Sequence, residues 1–193
     1  MQTRKSFSRH LHVTITPNLR IVAFCFLLAL FIIGMIIGSL TPLSANEAQT
    51  ITNSIQDIWN QGSLLLRYER VALNDIPLCL TMFVPAFGQV FIVYCGYETG
   101  VAIAAQAITQ SIPSSMRMQN VLFTPTTWLD GVVFGLAASE GFILLLSILN
   151  RSFKAESRRF LLTILGSVTL LLVSEVILLL TGGVLTSPMP IIP

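Results

Sequence analysis

The sequence predicts an all-α fold, a polytopic membrane helix bundle of five transmembrane spans with the N-terminus in and the C-terminus out. Three observations carry the prediction. Of the 193 residues, 53% are hydrophobic and only 10% are charged, against roughly 25% charged in a soluble domain. A chain this small leaves much of its surface exposed, so at a mean hydropathy of +0.78 the medium around most side chains is lipid. Uncharged runs also recur at the ~20 residues that cross a bilayer core, and the basic residues gather on one side of the runs. This composition excludes a soluble enzyme, an independent nucleic-acid reader and a disordered tail. A formal charge of +2 is too small to attract nucleic acid.

Residues 1–20 form a basic cytoplasmic segment carrying Arg4, Lys5, Arg9 and Arg20. The remainder, 21–193, reads as a single transmembrane domain. Its first span, Ile21–Leu40, is longer than the apolar region of about 7–15 residues in a cleaved signal. Leu43-Ser44-Ala45 is a poor cleavage site, so this span is expected to stay as an anchor.

An outer amphipathic segment, 44–72, follows. Ser44-Ala45-Asn46-Glu47 has the capping-box form, and Ile51, Ile55, Ile58 and Trp59 recur at helical spacing. That stripe either packs on the other spans or offers a face to the outer leaflet or a partner. Asp75 and Pro77 read as the start of the second span.

The apolar stretch Leu78–Ile112 would measure about 52 Å as one helix, against a core of about 30 Å. The glycines around Glu98, Gly96 and Gly100, divide it into spans 78–97 and 99–112. A fourth span covers 128–149 and a fifth 160–180, joined by the charged linker Asn150–Arg159. Pro188, Pro190 and Pro193 end the pattern. With five crossings, eight of the eleven Lys and Arg lie inside, four before the first span and four in the last linker. With a single crossing over 78–112 the bias weakens, so five crossings are preferred.

Four acids, Glu98, Asp130, Glu140 and Glu175, sit in or beside apolar runs with no base in their own span. A charge at the bilayer centre costs about 2.5–3.5 kcal/mol. These residues should therefore face the bundle interior or water, and Glu140 and Glu175, each in the middle of its span, read either as a polar pathway or as hydrogen-bonded to Gln89, Gln106, Gln110, Ser139, Ser167 or Ser174. Gly34 with Gly38, Gly96 with Gly100, and Gly131 with Gly135 have the spacing that lets helices approach closely. They are read as contacts within one bundle rather than between copies. Cys25, Cys79 and Cys95 match no zinc or redox spacing, and His10 with His12 is no helical metal pair. No cofactor or metal is expected, and no nucleophile is assembled with a base, so the chain is not read as an enzyme.

Arg70-Val71-Ala72-Leu73, Tyr94-Cys95-Gly96-Tyr97-Glu98-Thr99-Gly100 and Ser174-Glu175-Val176-Ile177 resemble motifs of the stage II sporulation protein M family of multi-span membrane proteins. In that family the first motif opens a span, the second forms a turn between two spans and the third carries an acid in the last span. Cys95 stands here for the family's asparagine, and Asp130-Gly131 keeps only the glycine of its Pro-His-Gly. The resemblance covers roughly 64–180 and implies a helical bundle that holds envelope proteins.

Two functions follow as expectations. The favoured one is a non-enzymatic scaffold or accessory subunit of an envelope-associated complex in the cell membrane. Its partners would be membrane lipid and other membrane or envelope proteins, a second copy of the chain included. The other is a permease or channel-like component whose polar path is lined by the intramembrane acids; no inverted internal repeat of the transporter kind is visible.

Overall fold

The first helix, α1 (Pro17–Ser39), begins ahead of the apolar run and takes Arg20 into its first turn. Thr16 accepts a hydrogen bond from the Leu19 amide at 3.2 Å, and Pro17 occupies the first helical position, where its missing N–H costs nothing. Six more helices follow among the described residues: α2 (Ala45–Trp59), α3 (Leu64–Met82), α4 (Phe87–Thr109), α5 (Ser114–Leu122), α6 (Pro125–Leu149) and α7 (Phe153–Leu180). The computed structural model describes residues 15–60, 63–150 and 153–180. The tail prolines and the basic residues before Thr16 lie outside them. Every described regular element is a helix, and α1, α4, α6 and the 156–180 part of α7 are long and apolar enough to cross a membrane.

Three sequence-based boundaries are corrected. The stretch Cys95–Gly100 is not a turn. It lies inside α4, so the proposed spans 78–97 and 99–112 do not exist as separate helices. Gly96 and Gly100 are there to be covered, not to break the helix: a Cβ on Gly96 would stand 2.3 Å from the Phe31 carbonyl oxygen, and one on Gly100 would stand 2.1 Å from that of Met35. The actual break is at 83–86, where Pro85 cannot continue a helix and Ala86 adopts φ 66°. Gly88 completes the corner, since a Cβ there would fall 1.9 Å from the Met82 carbonyl oxygen.

Second, Asp75 and Pro77 do not start a helix. They lie in the middle of α3, whose N-cap is Ser63, and the second half of the segment 44–72 is part of that helix. Third, the charged linker 150–159 is mostly the first two turns of α7. The end of α4 is closed by a Schellman pattern, with Ile112 N–H to Ala107 C=O at 3.0 Å and Ser111 N–H to Ile108 C=O at 3.1 Å. Ser111 takes the left-handed position at φ 54°.

Helix directions follow from the close contacts. Gly34 of α1 faces Val93 and Tyr97 of α4, while Gly38 faces Tyr97 and Gly100, so α1 and α4 run parallel. Along α6, Gly131 meets Leu28 and Phe31, Gly135 meets Phe24 and Leu28, and Glu140 meets Arg20, so α6 is antiparallel to α1. Helix α7 pairs Glu156 with Arg20 at one end and Ser174 with Asp130 farther along, antiparallel to α6. A parallel α1 and α4 require the chain to come back between them. The 19-residue α3 makes that return, its C-terminal end reaching the Arg20 end of the bundle, where Phe83 packs edge-on against Phe160.

Phe31, Cys79, Met82, Ile92, Phe134, Ala137 and Leu171, contributed by five helices, meet in the main core. Leu161, Leu162 and Leu165 on α7, and Ile21, Val22 and Phe26 on α1, face outward, the arrangement expected where lipid is the solvent. Helix α2 keeps its capping box, with Ser44 and Glu47 bonded reciprocally, which holds the Glu47 carboxyl below its usual range. It buries Ala48 and Thr52, and the Thr52 hydroxyl lies 3.3 Å from that of Thr109 on α4.

Candidate functional site

A cavity of about 490 Å³ lies between α3, α4 and α6, with α1, α5 and α7 closing it. Asp75 enters it from α3, Glu98 from α4 and Asp130 from α6; Phe31, Leu78 and Phe134 supply apolar wall. Each acid is placed by helical repeat. On α3 the residues Asp75, Leu78, Cys79 and Met82 share the inward face, so Asp75 is fixed there by the burial of its neighbours. On α7 the same rule turns Leu171, Glu175 and Leu179 inward, and Glu175 is only 1% exposed.

The acids have partners of their own. Asn74 donates to Asp75 at 2.6 Å, and the Ser174 hydroxyl donates to Asp130 at 2.6 Å. Glu175 of α7 faces Asp75 of α3, and its Oε2 has no hydrogen-bond partner in the structure. At the mouth of the cavity Tyr94 and Glu98 stand one helical turn apart on α4, both exposed. Pro77, two residues after Asp75, removes the amide that would have bonded the Leu73 carbonyl. Among the described residues no group of three His, Cys, Asp or Glu could hold a metal ion.

The sequence-predicted acids therefore divide. Glu98, Asp130 and Glu175 come together with Asp75, whose place two residues before Pro77 reads in sequence as a helix start. Glu140 does not join them. It pairs with Arg20 at the opposite end of the bundle, and Arg20 also pairs with Glu156. The three side chains are 20%, 12% and 14% exposed, so α1, α6 and α7 are tied together by one guanidinium fork and two carboxylates.

Of the expected amide and hydroxyl partners, Ser174 bonds Asp130, Ser139 bonds the Leu136 carbonyl at 2.9 Å and the Ser167 hydroxyl has no partner. Gln89 donates to the Ala138 carbonyl at 2.9 Å. Gln106 accepts two bonds, at 3.1 and 2.7 Å, from Arg117, which is 1% exposed. Burial pulls the Arg117 guanidinium down from the usual arginine value.

The glycines Gly34, Gly38, Gly96 and Gly100 form one backbone-to-backbone seam, and Gly131 and Gly135 receive α1 side chains. Ile51 and Ile55 are half-buried on α2; the side chains of Ile58 and Trp59 lie outside the described residues.

No protein-family model matches the chain, and neither does a curated protein or a solved structure.

Proposed function

We propose that the chain is a permease-like component of the cell membrane, its polar path running through the acid-lined cavity. The observation that carries this reading is the convergence of four carboxyl groups from α3, α4, α6 and α7 on one place in a bundle otherwise sealed by apolar side chains. Each ionised carboxylate held at membrane depth costs about 2.5–3.5 kcal/mol. A protein that only scaffolds others gains nothing from gathering four of them.

On this reading the membrane is crossed five times. Helix α3, with Arg67, Glu69, Arg70 and Asp75, is less apolar than the other four, and its length of about 28 Å at 1.5 Å per residue matches the core. Its acid is turned into the cavity and its basic residues lie near its start. The Arg20 end of the bundle faces the cytoplasm, because the four bases ahead of Ile21 and the four around the α6–α7 corner belong there.

Topology is tested with single cysteines at exposed Ser115 and at Ser157, in a chain whose Cys25, Cys79 and Cys95 are alanine. An impermeant maleimide applied to intact cells is expected to label Ser115→Cys and to leave Ser157→Cys untouched. Labelling of Ser157→Cys with Ser115→Cys protected would remove the fifth crossing.

Flux is tested in proteoliposomes, with an enclosed pH-sensitive dye and a potassium diffusion potential. Wild-type protein is expected to pass protons, and Asp130→Asn to slow the flux at least about tenfold, on the scale of losing one charged group from a path. A wild-type protein that passes none, yet purifies with stoichiometric partner chains, would return the scaffold reading to first place.

A further inference from the structure

The cavity opens on the side of the bundle, not at its end. Tyr94 and Glu98 continue the face of α4 that carries Phe87 and Val90, and all four are exposed, as is Asn74 on the neighbouring α3. Glu98 stands at the midpoint of α4. With α4 crossing a bilayer, that opening looks onto acyl chains, so whatever enters there must have an apolar body.

The interior asks for something else as well. Phe31 and Phe134 stand among the carboxyl groups of Asp75, Glu98 and Asp130, with Tyr94 at the mouth. Carboxylates attract a cation, and aromatic faces add to that attraction. No Lys, Arg or His is among the described residues that line the cavity. A volume of about 490 Å³ falls in the range that holds drug-sized ligands. Apart from the lining acids, Glu175 is fully buried, with one carboxyl oxygen unpartnered.

We propose that the cavity takes an amphiphilic organic monocation, which enters from the bilayer between α3 and α4 and is held by the carboxyl groups of Asp75, Glu98 and Asp130. The proposal rests on the polar-path reading and names its cargo. The other titratable side chains on the lining are Tyr94 and Cys95, neither of them a fixed cation that would compete with the ligand.

The test uses the full chain in mild detergent and tetraphenylphosphonium, a permanent cation with no proton of its own. Saturable binding is expected. The neutral triphenylphosphine oxide is expected not to compete. Asp75→Asn, Glu98→Gln and Asp130→Asn should each weaken binding about tenfold or more.

Absence of saturable binding by the wild-type protein overturns the proposal, as does equal competition by the neutral compound, which would mark a merely apolar pocket. These outcomes come from the wild-type chain and do not depend on any variant folding. Proton flux in liposomes without tetraphenylphosphonium binding would defeat this inference and leave the polar path standing; loss of both would defeat both.

Discussion

Gly100→Ala is expected to destabilise the purified protein by at least about 1–3 kcal/mol, the usual range for overpacking, seen as a lowered thermal midpoint and loss of the monodisperse species. The added methyl would stand 2.1 Å from the Met35 carbonyl oxygen, 2.7 Å from the Ser39 amide nitrogen and 2.8 Å from the Gly38 Cα. All three are backbone atoms of α1, so no rotamer change can relieve the clash. Two helices that meet through opposed glycines must separate along their whole seam, and the core behind them opens with it. Gly166→Ala is the matched control: nothing lies within 4 Å of a Cβ there, and alanine favours a helix by up to about 1 kcal/mol over glycine. Its midpoint should hold or rise. Equal behaviour of the two variants would mean that α1 and α4 do not touch as described.

Arg20→Met is expected to cost about 3–5 kcal/mol, the range for removing one partner of a buried ion pair. With side-chain exposures of 12% and 14%, Glu140 and Glu156 would be left facing each other with neither a cation nor full hydration. The lost contact is only part of the penalty, so neutralising the acids should undo most of it. Adding Glu140→Gln and Glu156→Gln to Arg20→Met is expected to bring the thermal midpoint most of the way back. Arg20→Lys should fall between, because an ammonium cannot fork to two carboxylates as a guanidinium does. A triple variant no more stable than Arg20→Met would show that Arg20 acts through its packing and not through this cluster.

Much of the fold was legible because lipid imposes simple rules. A run of about 20 uncharged residues has few alternatives to a helix, and α1, α6 and α7 lie close to where the sequence placed them. The error at Leu78–Ile112 came from reading glycine as a breaker. In a membrane helix glycine is as often a contact point, and Gly96 and Gly100 are needed by α1, which no local pattern in α4 reveals. The true break carried its own signal in Pro85, three residues ahead of Gly88. Asp75 was missed for a related reason. An acid two residues before a proline looks like a helix start, whereas Pro77 sits inside α3.

Composition and periodicity alone pointed to lipid as the medium and determined the helical class and which residues are too polar to face acyl chains, since each depends only on a side chain and its near neighbours. Which acids share a cavity, and that Glu140 is paired with Arg20 instead, depended on residues more than 40 positions apart. Burial says that a carboxyl group must turn inward; only the way the helices pack says which group it will meet there.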